Sequence, residues 1–137
     1  YSKYKLINPQ VKFLVDKGIP SIHTKMLLPS KDTIQLYSIH PTPPMPQHNP
    51  MSTDRDKEMM LTASLARTSK LPVVVIGDFN DVAWSQTTRL FQNVSELLDP
   101  RKGRGFYNTY NANNPLLRWP LDHLFVSKEF RVIAIEQ

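Results

Sequence analysis

The sequence predicts a mixed α/β domain, and three observations carry that expectation. The run Leu71 to Ile76 is apolar and β-branched, opened by a proline and closed by Gly77, the pattern of a strand buried on both faces. Ile19 to Leu28 and Thr33 to His40 alternate apolar and polar residues and flank Pro29-Ser30-Lys31-Asp32, which predicts an antiparallel hairpin. Between hairpin and strand, a stretch to about Ser69 sets Met59, Ala63 and Ala66 on one helical stripe, widened by Leu61 and Leu65. Strands and helices alternate irregularly around a hairpin, so the class is mixed α/β (α+β).

Residues 1–18 are polar, with a short strand expected over Val11 to Val15. After the hairpin, Pro41, Pro43, Pro44, Pro46 and Pro50 hold the chain in a stiff extended loop. Ser52 or Thr53 then caps the helix, with Asp54 suited to its positive end, and the helix returns the chain to the Val73 strand. Arg55 and Asp56 at its start read as an exposed charge pair. Ser85 caps a second helix running to Asn93 or Leu98 and ended by Asp99-Pro100. Arg101 to Asn114 is a loop, Leu121 to Val126 the last clear strand, and Phe130 to Ile135 a further strand-like run.

One core suits 137 residues, and no boundary suggests a second domain. Seventeen Lys+Arg against 12 Asp+Glu give a net charge of +5, which favours a polyanionic partner, nucleic acid or an anionic lipid surface. The absence of cysteine excludes disulfides and thiol chemistry. No apolar stretch reaches membrane-spanning length, and no signal peptide is visible.

Chemistry is expected where the Val73 strand stops. With a side-chain period of two, Asp78 and Asn80 project to one side while Phe79 turns to the core. A carboxylate and an amide at a sheet rim suit a hard divalent cation and a phosphate oxygen. His40, held extended by Pro41, is a further candidate. Asp122 lies in an apolar strand, where a carboxylate needs a partner. His123 faces the opposite side and reads as structural, as do His23 and His48.

Gly77-Asp78-Phe79-Asn80, taken with Ile39-His40-Pro41 upstream and Leu121-Asp122-His123-Leu124-Phe125-Val126-Ser127 downstream, resembles the endonuclease/exonuclease/phosphatase superfamily, which includes DNase I-like nucleases, sphingomyelinases and inositol-phosphate phosphatases. The wording around these motifs looks most like a bacterial branch often joined to membrane segments, with any anchor outside these residues. The resemblance implies a portion of a four-layer α/β/β/α sandwich of two mixed sheets flanked by helices. It also implies a phosphoesterase dependent on Mg²⁺ or Mn²⁺, with Asp78 and Asn80 at the metal and the attacking water. His40 would contact the scissile phosphate or protonate the leaving oxygen, and Asp122 would orient a catalytic histidine. Two family elements have no match: the early strand with a metal-binding glutamate and the final Ser-Asp-His segment. Residues 1–137 are therefore expected to be a central-to-C-terminal piece of the domain, silent by itself. Trp84, Tyr107 and Tyr110 are candidates to stack on substrate, and Arg101, Lys102 and Arg104 to meet phosphates. The substrate stays open among nucleic acid, a phospholipid head group and an inositol phosphate. A non-catalytic anion-binding module on the same scaffold is the rival reading.

Overall fold

The structure, a computed structural model, describes residues 2–43, 53–104 and 121–135. His48, Tyr107, Tyr110 and most of the proline loop lie outside the described residues. Strands β1 (Lys5–Lys12), β2 (Ser21–Leu27), β3 (Thr33–Ser38), β4 (Val73–Asp78) and β5 (Asp122–Val126) form one sheet in chain order, joined by helices α1 (Thr53–Arg67) and α2 (Gln86–Ser95). Neighbours run antiparallel except β3 and β4, which are parallel. A parallel pair needs a crossover, and the segment containing the proline loop and α1 supplies it.

The hairpin forms as expected, with Lys31 in the left-handed region at its turn. The first strand differs: it begins at Lys5 and ends at Lys12, so it takes in only the first two residues of the run Val11 to Val15. It is an edge strand, so Pro9 is tolerated, and its register slips between Ile7 and Gln10 around Asn8 at φ 50°. Past Lys12 the chain turns, with Asp16 Oδ1 accepting from the Gly18 N–H at 2.7 Å.

Met59, Ala63 and Ala66 of α1 and Phe91 of α2 pack on Tyr37, Ile39, Val73, Val75, Phe79 and Phe125. The rings of Phe79, Phe91 and Phe125 meet at 5.0 to 5.5 Å, inside the favourable range for aromatic pairs. Leu61 does not widen this stripe and stays 45% exposed. It sits two positions from Met59, on the far side of the helix, and the buried stripe runs instead through Arg55, Glu58 and Thr62. Among the described residues, the helices cover one face of β4. Val73 and Val75 are buried, whereas Val74 and Ile76 share an apolar face with Leu124, 39% exposed, and Ile22, 45% exposed.

Ser85 caps α2 as expected, accepting from the Thr88 N–H. The helix ends earlier than Asp99-Pro100. Glu96 takes φ 60° and donates its N–H to the Gln92 carbonyl, and Leu98 then exchanges two backbone hydrogen bonds with Val126. The run 130–135 joins no ladder among the described residues, and Ile133 is 95% exposed. A turn at Ser127, whose N–H reaches the Val73 carbonyl, carries it away from the sheet.

Glu58 is 1% exposed, and its Oε1 has no hydrogen-bond partner. Burial, reinforced by Asp16, pushes its carboxyl from 4.5 up to about 7. Because the folded value lies above the unfolded one, the favourable contribution is complete below pH 4.5 and is lost as pH rises through about 7. Glu58→Gln should therefore match the parent chain in melting temperature at pH 5 and exceed it by several degrees at pH 8. The corresponding gain is on the order of 1–3 kcal/mol, and thermal unfolding across that pH range measures it.

Candidate active site

The C-terminal ends of β3 and β4 are held together by backbone. Ser38 lies opposite Ile76, the Ile39 N–H reaches the Ile76 carbonyl at 3.0 Å, and the Asn80 side-chain amide donates to the Pro41 carbonyl at 3.0 Å. The strands approach so closely that a β-carbon on Gly77, at φ 149°, would sit 1.7 Å from the Ile39 oxygen. Only glycine fits there. With Ile39 and Pro41 buried, His40 between them turns out to solvent beside the end of β4.

Across the other edge of β4, Asp78 lies directly opposite Asp122, and Gly77 opposite His123. Partners in an antiparallel pair share a face. Asp78 and Asp122 thus stand on the open face, while His123, Phe79 and Phe125 stand on the helix side. Asp122 is exposed, because β5 alternates its residues between the helix side and the open face. Three of the expected residues therefore reach one end of one sheet from three adjacent strand ends. Asn80 joins them by a different route. It is not extended but left-handed at φ 49°, its N–H bonded to Asp78 Oδ1 at 2.8 Å, so the motif folds into a tight Asx turn.

Asp78 and the Asn80 amide carry hard oxygen atoms of the kind Mg²⁺ or Mn²⁺ takes, and Asp122 is the register partner of Asp78. Among the described residues, no three His, Cys, Asp or Glu side chains gather as a complete metal site.

Behind the rim lies a polar brace that the sequence reading did not identify. Arg55 pairs with Asp56 at 3.0 Å as expected, but it is only 8% exposed and not a surface charge. Its guanidinium donates to the Asn80 carbonyl at 3.0 Å and lies 3.6 Å from Asp81 Oδ1, clamping the turn to α1. Asp81, also buried, accepts from the Val82 N–H, Ser85 Oγ and Thr88 Oγ1, and so sits at the positive end of α2. The Asp81 carbonyl accepts from His123 Nε2 at 2.8 Å. Nε2 must then carry the proton, which leaves Nδ1 to accept from Arg101 at 2.9 Å. Burial holds the His123 pKa below 6.5, with the Arg101 charge adding to the effect. The spacing Asp81-x-x-x-Ser85-x-x-Thr88 was the available signal for this brace, an acid one turn before a helix cap.

The family model for the endonuclease/exonuclease/phosphatase family matches residues 1–137. The chain belongs to that family. No curated protein sequence matches it. Among solved structures, it is similar to the human Nocturnin catalytic domain with bound sulfate, at 19% identity and a TM-score of 0.66 over 91% of this chain and 48% of that one. It is similar to a Bacteroides thetaiotaomicron mannosyl-6-phosphatase, at 17% identity and a TM-score of 0.70 over 92% and 54%. It is similar also to sphingomyelinase C from Streptomyces griseocarneus, at 13% identity and 0.68 over 96% and 52%. The chain spans about half the length of each. At these identities the likeness is one of fold: the sheet and its two helices are a portion of the family's α/β sandwich.

Among the described residues, the cations expected to meet phosphates differ in their surroundings. Arg101 binds Asp99 through two hydrogen bonds of 2.9 and 3.0 Å, the Asp122 carbonyl at 2.9 Å and the His123 ring. Its guanidinium thus braces β5 from behind. Lys102 and Arg104 are exposed, Arg104 with one bond to the Pro100 carbonyl. Trp84, on the turn before α2, is 45% exposed. Tyr110 lies outside the described residues.

Three variants separate these roles. Gly77→Ala should cost at least about 3 kcal/mol, since it adds a backbone clash to a forbidden φ. Arg101→Ala breaks a buried pair and should cost roughly 3 kcal/mol, whereas Lys102→Ala should fall within about 0.5 kcal/mol of the parent. Denaturant midpoints of the three variants provide the check.

Proposed function

We propose that this chain carries the catalytic rim of a divalent-metal-dependent phosphoesterase that cleaves phosphodiesters. The observation that supports the reading best is the convergence of His40, Asp78 and Asp122 on one sheet end, beside the Asn80 turn. Family membership supports phosphoric ester hydrolysis in general. The metal and the diester preference are the proposal's own.

Hydrolysis of such an ester is largely a matter of positioning and charge neutralisation. Asp78 would hold the metal and the attacking water, its position set by the hydrogen bond to the Asn80 N–H. Asn80 keeps its amide oxygen and a second amide hydrogen for water or a phosphate oxygen, while its first hydrogen anchors it to Pro41. His40, exposed at the rim, would contact the phosphate or protonate the leaving oxygen. Asp122 would orient a general-base histidine from sequence outside this chain, which would also supply a metal-binding glutamate. Bound Mg²⁺ or Mn²⁺ would neutralise charge on the phosphate oxygens.

In a protein that contains this chain and the remaining family elements, Asp78→Ala should lower turnover of bis-(p-nitrophenyl) phosphate by at least ~100-fold at unchanged melting temperature. EDTA should abolish the activity and Mg²⁺ restore it. The 137-residue chain alone should show no turnover. EDTA-resistant hydrolysis would overturn the metal assignment, and an Asp78→Ala protein of parental rate would overturn the site.

A further inference from the structure

A cavity of about 270 Å³ opens on the helix side of the sheet, over β1, β2 and β3 and beside Leu65 of α1. It exists because the Asn8–Pro9 bulge bends the edge strand while α1 lies farther in, over β3 and β4. His23 and Tyr37, register partners on β2 and β3, form its floor with ring centres 4.9 Å apart and edge to face. Lys12 and Lys25 stand at its wall with the Gln10 amide, and no carboxylate lines it. Neither lysine forms an ion pair with a described acidic residue. His40, Asp78 and Asp122 lie on the opposite face.

The floor is neutral for a structural reason. The Ser21 hydroxyl donates to the Lys12 carbonyl at 3.2 Å, so in its 3.0 Å contact with His23 Nε2 it accepts. The ring proton is therefore on Nε2, and Nδ1 is bare. Burial first, and the Lys12 charge second, lower the His23 pKa to about 4. At neutral pH the walls hold two uncompensated positive charges over an uncharged aromatic floor, the complement of a dianion. The volume of about 270 Å³ accommodates a phosphate ion or a small monoester.

We propose that this cavity is a second anion site, separate from the catalytic rim, that takes phosphate or a small phosphate monoester between Lys12 and Lys25. It stands independently of the catalytic reading.

Bound phosphate would offset the Lys12 field at His23, so the ring itself is the reporter. In histidine-detected NMR of the 137-residue chain at about pH 8, where phosphate is the dianion, with His23 assigned through His23→Gln, inorganic phosphate should shift the His23 ring signals saturably. Glycerol phosphate should do the same if the site takes monoesters, and a response to inorganic phosphate alone would narrow it to the free ion. Lys12→Ala/Lys25→Ala should abolish the phosphate response, and both positions are exposed enough for the fold to tolerate the change. An unmoved His23, a response that persists in the double variant, or a response only to an oligonucleotide would overturn the proposal.

Discussion

The Ile39 carbonyl lies so close to the Gly77 α-carbon that no side chain fits between them, and the geometry of the rim depends on that approach. It lets the parallel pair β3 and β4 run together to their C-terminal ends. His40 and Asp78 consequently leave the sheet side by side, although 38 positions separate them in the chain. Widening the gap by one methyl would move the two ends apart and break the Asn80 bond to Pro41. The glycine of the motif is thus a packing requirement, and the acid and amide after it depend on that fit.

Behind this contact, buried charges do the holding. Arg55, Asp81, His123, Arg101 and Asp99 run from α1 through the Asn80 turn to β5. Each polar atom traced here has a partner, the condition under which a buried network specifies one arrangement rather than destabilising the core. The arrangement separates adjacent residues by role: His123 is tied into the brace, and Asp122 is left on the open face. It also ties Arg101, a cation that looked available to a substrate, to the back of the strand bearing Asp122.

The two faces of the sheet therefore differ in chemistry. Helices, aromatic core and the lysine-lined cavity occupy one. The other carries an apolar surface that ends in His40, Asp78 and Asp122. Because strand alternation sorts residues between faces, a shift of one residue in β4 would send Asp78 into the Phe79 core and bring Phe79 to the rim.

Much of this was legible in the chain. The hairpin, the crossover helix, the Ser85 cap and the Val73 strand follow from local periodicity and capping chemistry, which act over a few residues and so leave a mark in short windows. The motif residues were legible for the same reason, since a strand end with alternating polar groups is a local pattern. What stayed hidden depends on contacts between distant segments. Arg55 resembled any surface charge at a helix start until α1 was seen to lie against the Asn80 turn. That Asp122 stands on the open face was not legible either, because strand composition does not say which face is covered. Leu61 left the expected stripe, and Glu58 took a buried place instead, because a helical stripe is oriented by what it packs on, not by its own hydrophobicity. The sequence by itself determined the elements and the chemistry at their ends. Only the tertiary structure decided which of those ends meet and which charges are buried, because register and packing arise between segments that no local pattern connects.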